Sequence, residues 1–79
     1  MNELVVIEPV GLQLSDLESA KVGGRIDTHF GEQPAQLMCV EKLTAPTLFL
    51  RFRLMVFGIE VAELSAERDQ SGSWTLEEL

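Results

Sequence analysis

Thr47-Leu-Phe-Leu-Arg-Phe-Arg-Leu-Met-Val-Phe57 is the stretch of this chain that decides the fold. Every second residue from Leu48 to Val56 is apolar, whereas the positions between them include Arg51 and Arg53. Alternation with a period of two, together with the aromatic residues, favours a β-strand over a helix. The stretch therefore predicts a long strand with one fully apolar face and one mixed face.

The mixed face raises the question of what covers it. It carries Phe49, Met55 and Phe57 beside Arg51 and Arg53, whereas one sheet with one short helix forms two layers and covers a single face. Burying a Phe or Met side chain contributes about 1.5–3 kcal/mol, so three of them rival the stability margin of about 5 kcal/mol of a small domain. We therefore predict a symmetric dimer through sheet or edge pairing, in which the two arginines meet carboxylates of the second copy. The alternative is a two-sheet sandwich or rolled barrel that encloses both faces within one chain.

The N-terminal part predicts two strands separated by one short helix. Residues 4–7 are a β-branched run that Pro9 and Gly11 end. Residues 25–30 alternate apolar and polar side chains, which predicts a half-buried strand with His29 facing solvent.

The helix is predicted at residues 16–22. Ser15 and Glu18 have the spacing of a capping box, and Gly23 suits the position after the helix end. Because a helix of two turns is unstable alone, it has to pack on the sheet through Leu17 and is expected, with Trp74, to cover the apolar face. A polar loop is the alternative for this segment.

The remaining segments complete a small sheet. Residues 36–43 suit strand and helix, and their Val and Cys favour a strand that pairs with residues 25–30 across a loop at 31–35. Gly58 indicates a bulge or bend, after which residues 59–62 continue the strand or turn back. Residues 65–73 predict a polar loop, and residues 74–76 a last short strand. The predicted fold is one α+β domain over residues 1–79, a mainly antiparallel sheet of four to five strands with one short helix.

The composition excludes several classes of protein. Hydrophobic residues make up 46% of the 79-residue chain, too many for a disordered chain, yet no apolar run approaches the roughly 20 residues of a membrane span. Residues 1–3, Met-Asn-Glu, lack the basic region of a signal peptide. Cys39 is the only cysteine and lies in an apolar run, so we expect a buried, inert thiol and no intrachain disulfide. These features predict a soluble protein of the reducing cytoplasm, without a membrane partner.

The sequence predicts no catalytic, cofactor-binding or metal-binding residues. His29 is the only histidine, and no Gly-x-Ser-x-Gly turn is present. Gly23-Gly24 follows a predicted helix rather than a strand, so it is not a phosphate-binding loop. One Cys and one His are too few for an ordinary zinc site. We expect a protein that is not an enzyme and uses no cofactor.

The net charge of −7 is concentrated near the C-terminus. Residues 59–79 hold six acidic residues and one basic residue, a net charge of −5, so direct nucleic-acid binding is not expected. An alternative function follows: an acidic decoy could occupy a basic nucleic-acid-binding protein by mimicking nucleic acid. Its surface would consist of Glu60, Glu63, Glu67, Asp69, Glu77 and Glu78.

Residues 53–64, Arg-Leu-Met-Val-Phe-Gly-Ile-Glu-Val-Ala-Glu-Leu, resemble segments of small accessory proteins of tailed bacteriophages, especially those of actinobacterial hosts. The resemblance covers 12 of the 79 residues and transfers no site residue. It implies a phage origin, action in the host cytoplasm and binding to host proteins.

The expected function is a non-enzymatic protein-binding module, a homodimer that modulates or inhibits a partner protein. Its predicted interface consists of Phe49, Arg51, Arg53, Met55 and Phe57, or of a free strand edge. The alternatives are the acidic decoy and a small structural component of a phage particle.

Overall fold

The computed structural model describes residues 4–7 and 9–79. Within them the chain forms one helix and seven strands, namely β1 (Leu4–Ile7), β2 (Val10–Gln13), α1 (Leu14–Ser19), β3 (Arg25–Phe30), β4 (Gln33–Leu43), β5 (Leu48–Val56), β6 (Ile59–Arg68) and β7 (Trp74–Glu78). β1 and β2 form a two-stranded sheet, and β3 to β7 form a five-stranded meander in chain order, with every pairing antiparallel. The antiparallel architecture with one short helix is confirmed, and the main sheet has five strands, but the separate two-stranded sheet was not predicted.

The core lies on one side of the five-stranded sheet, which we call the inner face. Alternate residues of β5 point into it, as the apolar alternation predicts, and Phe52 is 1% exposed. The same face receives side chains from the neighbouring strands, so that buried residues fill it from β4 to β6: Ala35, Leu37, Cys39, Leu50, Phe52, Leu54, Val56, Leu64 and Ala66.

The β1–β2 hairpin and α1 cover the inner face. Val10, Leu12 and Leu17 are at most 2% exposed and belong to the same core cluster. The hairpin is held beside β3 because the Gly31 amide donates to the Pro9 carbonyl at 3.0 Å. The helix therefore contributes to the cover as predicted, and Trp74 packs against the core cluster from its edge, but the second strand of the cover was not foreseen.

The helix begins earlier than its sequence signals indicate. It spans Leu14–Ser19, follows Gln13, and makes no side-chain cap hydrogen bond, so the predicted capping box of Ser15 and Glu18 does not form. The Ser15 carbonyl instead accepts a hydrogen bond from the Ser19 hydroxyl at 2.9 Å. Gly23 has a positive φ of 86°, but it lies in the turn to β3 rather than at the helix end.

The β3 and β4 predictions are confirmed, with a tighter connection between them. β3 occupies the predicted residues 25–30, and His29 is exposed. β4 confirms the strand interpretation of residues 36–43 but begins at Gln33, since Phe30 pairs with Gln33 across a two-residue turn. The predicted loop at 31–35 is therefore wrong in length.

The β5 strand turns back directly into β6. Val56 pairs with Ile59, so Phe57 and Gly58 form a two-residue turn rather than a bulge within a continuing strand. β6 then runs to Arg68, which corrects the predicted polar loop at 65–73 to a loop at residues 69–73. The last strand is confirmed and slightly longer than predicted.

Two β-bulges interrupt the ladders beside β5. Val40 has no partner between the pairs Cys39–Phe52 and Glu41–Arg51, and Val61 has none opposite Met55. After the Val40 bulge, Lys42 is paired with Leu50, and its Nζ donates to the Ala20 carbonyl at 2.8 Å. This bond connects the sheet to the end of α1.

Candidate functional site

The face opposite the core, which we call the outer face, carries four of the five predicted interface residues. Phe49, Arg51, Arg53 and Met55 alternate with the inward residues of β5. In the described part of the chain, the second sheet and the helix lie on the inner side, and no element packs over the outer face. Phe49 and Met55 are six residues apart, which is about 20 Å along a strand, so they belong to opposite ends of this face.

Ion pairs occupy the centre of the outer face. Arg51 contacts Glu41 at 3.4 Å and Glu63 at 3.5 Å, and Arg53 contacts Glu60 at 3.3 Å. Both arginines therefore pair with carboxylates across β4, β5 and β6 of one chain, and their pairing with carboxylates of a second copy stays a prediction. These side chains are partly exposed, so each pair contributes only about 0–1 kcal/mol to stability.

The Phe49 end of the outer face is a shallow apolar groove. Phe49 is half-buried and pairs with Leu43 across β4 and β5. A groove of about 270 Å³ lies there, lined by Leu43, Ala45, Pro46, Thr47, Phe49 and Glu67. Its neighbours shield Phe49 partly, so this predicted interface residue is not left fully in water.

The other end of β5 carries the most exposed aromatic side chain of the described residues. Phe57 is 76% exposed, Ile59 is 67% exposed and Val61 is 46% exposed. With the half-buried Met55 they surround the end of the β5–β6 hairpin, Met55 on the outer face and Ile59 on the side of its inward partner Val56. We call these four residues the hairpin-end patch (Met55, Phe57, Ile59 and Val61). Three large apolar groups within five residues of sequence lose the free energy that burial would provide.

The turn at the tip of this patch has an unusual residue in its first position. Phe57 has φ 52° and Gly58 has φ 78°, which is the pattern of a type I′ turn. Such turns strongly favour Asn-Gly, because a bulky side chain at positive φ is strained. Phe57 is the only residue other than glycine with positive φ among those that the structure describes. The strain and the exposure fall on the same side chain.

The six acidic residues of the predicted decoy surface are used in different ways. Glu60 and Glu63 pair with arginines, and Glu67 accepts a hydrogen bond from the Thr47 hydroxyl at 2.7 Å. Asp69 organises the loop before β7 by accepting from the backbone amides of two residues, Ser71 and Ser73, at 2.8 and 3.0 Å.

Glu77 and Glu78 are exposed, and within the described residues they form no ion pair. The structure therefore does not gather the six carboxylates into one uniform unpaired surface. Most of them have structural partners within the chain.

Two titratable groups among the described residues, Cys39 and Asp69, have shifted pKa values. Burial raises the pKa of the Cys39 thiol, whose side chain is 2% exposed, so it stays protonated and weakly nucleophilic at neutral pH. The hydrogen bond from the Ser71 hydroxyl, followed by the Ser73 amide, lowers the pKa of the Asp69 carboxyl.

The described residues contain neither a metal-binding cluster nor a membrane-spanning helix. No set of three or more His, Cys, Asp and Glu side chains is placed to hold a metal ion there. Within the same residues, no helix has the length and apolar character needed to cross a membrane.

Comparison with models of known protein families, with curated proteins and with solved structures gives no match to this chain. The resemblance of residues 53–64 to phage accessory proteins stays a prediction. The outer face and the hairpin-end patch therefore have to be interpreted from their own chemistry.

Sequence reasoning identified Phe57 and Met55 but missed Ile59 and Val61. Ile59 and Val61 belong to a predicted strand whose direction the sequence leaves open. The signal was present, since Phe57-Gly58 separates two alternating runs by two residues, which is the spacing of a tight hairpin. With that turn recognised, these side chains belong to one exposed end.

Proposed function

We propose that this chain is a non-enzymatic protein-binding module that associates with itself, acts in the cytoplasm and modulates a partner protein. The binding surface is the hairpin-end patch rather than the whole set of residues along the outer face. The main observation in its support is Phe57, a strained aromatic residue at the tip of the β5–β6 hairpin that is 76% exposed.

The position of Phe57 lowers the stability of the fold in two ways, which supports the proposal. The left-handed backbone conformation of a bulky residue costs about 1–3 kcal/mol, and an exposed Phe forgoes the roughly 1.5–3 kcal/mol of burial. Local rules of folding are broken mainly at functional sites, where another requirement outweighs them. Contact with another protein would recover the burial term.

The charge distribution supports the same surface. The chain has a net charge of −7, so most of its surface repels another acidic protein. Within the hairpin-end patch the only interleaved charge is Glu60, and Arg53 contacts it at 3.3 Å. The acidic decoy remains a prediction without a specific observation in its favour, because four of its six carboxylates have partners within the chain.

The test compares Phe57→Asn with the control Val22→Asn. The control removes a 63% exposed apolar side chain from the loop before β3. Sedimentation velocity up to about 1 mM detects association as weak as about −4 kcal/mol. Wild type and Val22→Asn should associate and retain the same proteins from a cell lysate, whereas Phe57→Asn should lose both. The proposal fails if Phe57→Asn behaves as wild type in both measurements.

A further inference from the structure

The first residues of β6 have a free strand edge. β7 pairs with β6 only from Leu64 to Arg68, and the Leu79 amide donates to the Glu63 carbonyl at 2.8 Å. Residues 59–62 therefore pair with β5 on one side and, within the described residues, have no strand on the other. This edge lies directly beside the Phe57–Gly58 turn.

The free edge and the hairpin-end patch coincide. A strand edge exposes backbone donors and acceptors that can pair with another strand, and apolar side chains beside it favour that pairing over hydration. Ile59 and Val61 belong both to the edge and to the patch, at 67% and 46% exposure. One surface thus offers backbone hydrogen bonds and apolar area together.

The chemistry of this edge fits a second copy of the same chain. A basic partner would find little to attract it, because the one carboxylate of the edge, Glu60, is already paired with Arg53 at 3.3 Å. An acidic partner, which includes another copy with its net charge of −7, is repelled least at this locally neutral, apolar edge. Antiparallel pairing about a two-fold axis places the same edge segment of both copies side by side, so Ile59 and Val61 of each copy lie along the shared edge.

The bulge in the edge limits how far the pairing extends. Val61 has no partner opposite Met55, and a bulge bends its strand and increases the local twist. A short, bent segment can pair with one other copy but does not continue as a flat edge. The geometry therefore suits a closed dimer rather than a filament.

We infer that two copies pair antiparallel through the free edge of residues 59–62, with Phe57 of each copy packed at the end of the shared sheet. The inference rests on the proposed function and specifies its first partner. It joins the two five-stranded sheets into one ten-stranded sheet and leaves the groove beside Phe49 free on both copies.

Amide exchange at two concentrations tests the backbone pairing on the wild-type chain. With a dissociation constant of about 100 μM, raising the chain concentration from about 10 μM to about 1 mM lowers the monomer fraction from about 85% to about 20%. Free-edge amides of residues 59–62 should then exchange about fourfold more slowly at the higher concentration, because dimerisation buries them. Amides of the exposed loop at 69–73 are the internal control and should not change.

An engineered disulfide tests the geometry independently. Val61→Cys places a thiol near the two-fold axis, whereas Thr75→Cys places an equally accessible thiol on β7. The native Cys39 is 2% exposed and does not compete. Under mild oxidation Val61→Cys should form at least about fivefold more covalent dimer, since a disulfide requires closely placed Cα atoms.

Equal cross-linking of the two cysteine variants overturns the inference, as do exchange rates at residues 59–62 that do not depend on concentration. If association still depends on Phe57 in that case, the protein-binding function stands and only the edge pairing is wrong. If Phe57→Asn changes nothing, the proposed function itself fails.

Discussion

The β3–β4 and β5–β6 hairpins both close with a two-residue turn, and they use different residues for it. Between β3 and β4, the residue with positive φ is Gly31, at 61°, followed by Glu32. Between β5 and β6, both turn residues have positive φ, and the first is Phe57 at 52°. Glycine adopts this conformation without steric cost, whereas phenylalanine does not.

The difference shows which turn has residues that favour folding and which turn has residues that serve another requirement. The β3–β4 turn uses a residue that its backbone favours, and its neighbours Glu32 and Gln33 are polar and exposed. The β5–β6 turn departs from the preferred Asn-Gly sequence and places an aromatic ring in solvent. The β3–β4 hairpin is therefore explained by stability alone, and the β5–β6 hairpin is not.

The largest effect is expected when a phenylalanine, as in the β5–β6 turn, replaces the glycine of the β3–β4 turn. Gly31→Phe puts a bulky side chain at positive φ, and its Cβ would meet no atom within 4 Å. The free energy of unfolding should fall by about 1–3 kcal/mol. Urea denaturation measures this change, and an unchanged midpoint would show that the turn tolerates any residue.

The glycine of the second turn should be the next most sensitive position. Gly58 has φ 78°, and a Cβ there would meet no atom within 4 Å, so only backbone strain opposes a substitution. Gly58→Ala should lower the free energy of unfolding by about 1 kcal/mol. Thermal unfolding followed by circular dichroism measures it, with Gly72→Ala, at φ 91° in the loop before β7, as a matched control of similar cost.

Restoring the preferred turn sequence should stabilise the fold while removing the binding surface. Phe57→Asn relieves the strain at the first turn position and should raise the free energy of unfolding by about 0.5–1 kcal/mol. The same variant should fail to self-associate. Destabilisation by this substitution would mean that the Phe57 ring supports the fold, which would remove the contrast between the two turns.

A smaller effect is expected at the loop between β6 and β7, residues 69–73. The pKa of Asp69 is lowered in the folded chain, so its contribution is present above the unfolded pKa of about 3.9 and is lost as pH falls through the lower folded value. The amides of Ser71 and Ser73 should therefore lose protection below about pH 4, as seen by NMR, and Asp69→Ala should remove that dependence. Residues at the two-residue turns should not respond over this range.

The inner face was predictable because its pattern is local and strong. Alternate apolar residues from Leu48 to Val56 identified β5, and the structure buries all of those beyond Leu48. The strand at 25–30 was equally clear from its alternation. Residues 65–68 were misassigned because small and polar side chains conceal an alternation in which Ala66 is 1% exposed and its neighbours face outward.

The β1–β2 hairpin was missed for a reason that lies elsewhere in the fold. Pro9 and Gly11 usually end strands, and here they flank and enter one. Gly11 lies against β3: a Cβ there would lie 2.6 Å from Nε2 of the exposed His29, and the Thr28 hydroxyl donates to the Gly11 carbonyl. These contacts are made with a strand farther along the chain, so no local sequence pattern reveals them.

The candidate site was only partly predictable from the sequence. Alternation placed Phe49, Arg51, Arg53 and Met55 on one face, as the register shows. It could not show that Glu41 and Glu63 satisfy Arg51, because a bulge determines which residue of β4 lies opposite it. Alternation also could not place Phe57 at a turn, because it does not show whether residues 59–62 continue the strand or turn back.

Because Val40 lies in a bulge, it can be removed without changing which residues of β4 face the core and which face solvent. Elsewhere in a strand, loss of a single residue inverts every side chain beyond it between core and solvent. Removing Val40 would instead convert the irregular ladder into a regular one and leave Glu41 opposite Arg51 and Lys42 opposite Leu50. A chain that lacks Val40 should therefore still fold with the same residues of β4 facing the core.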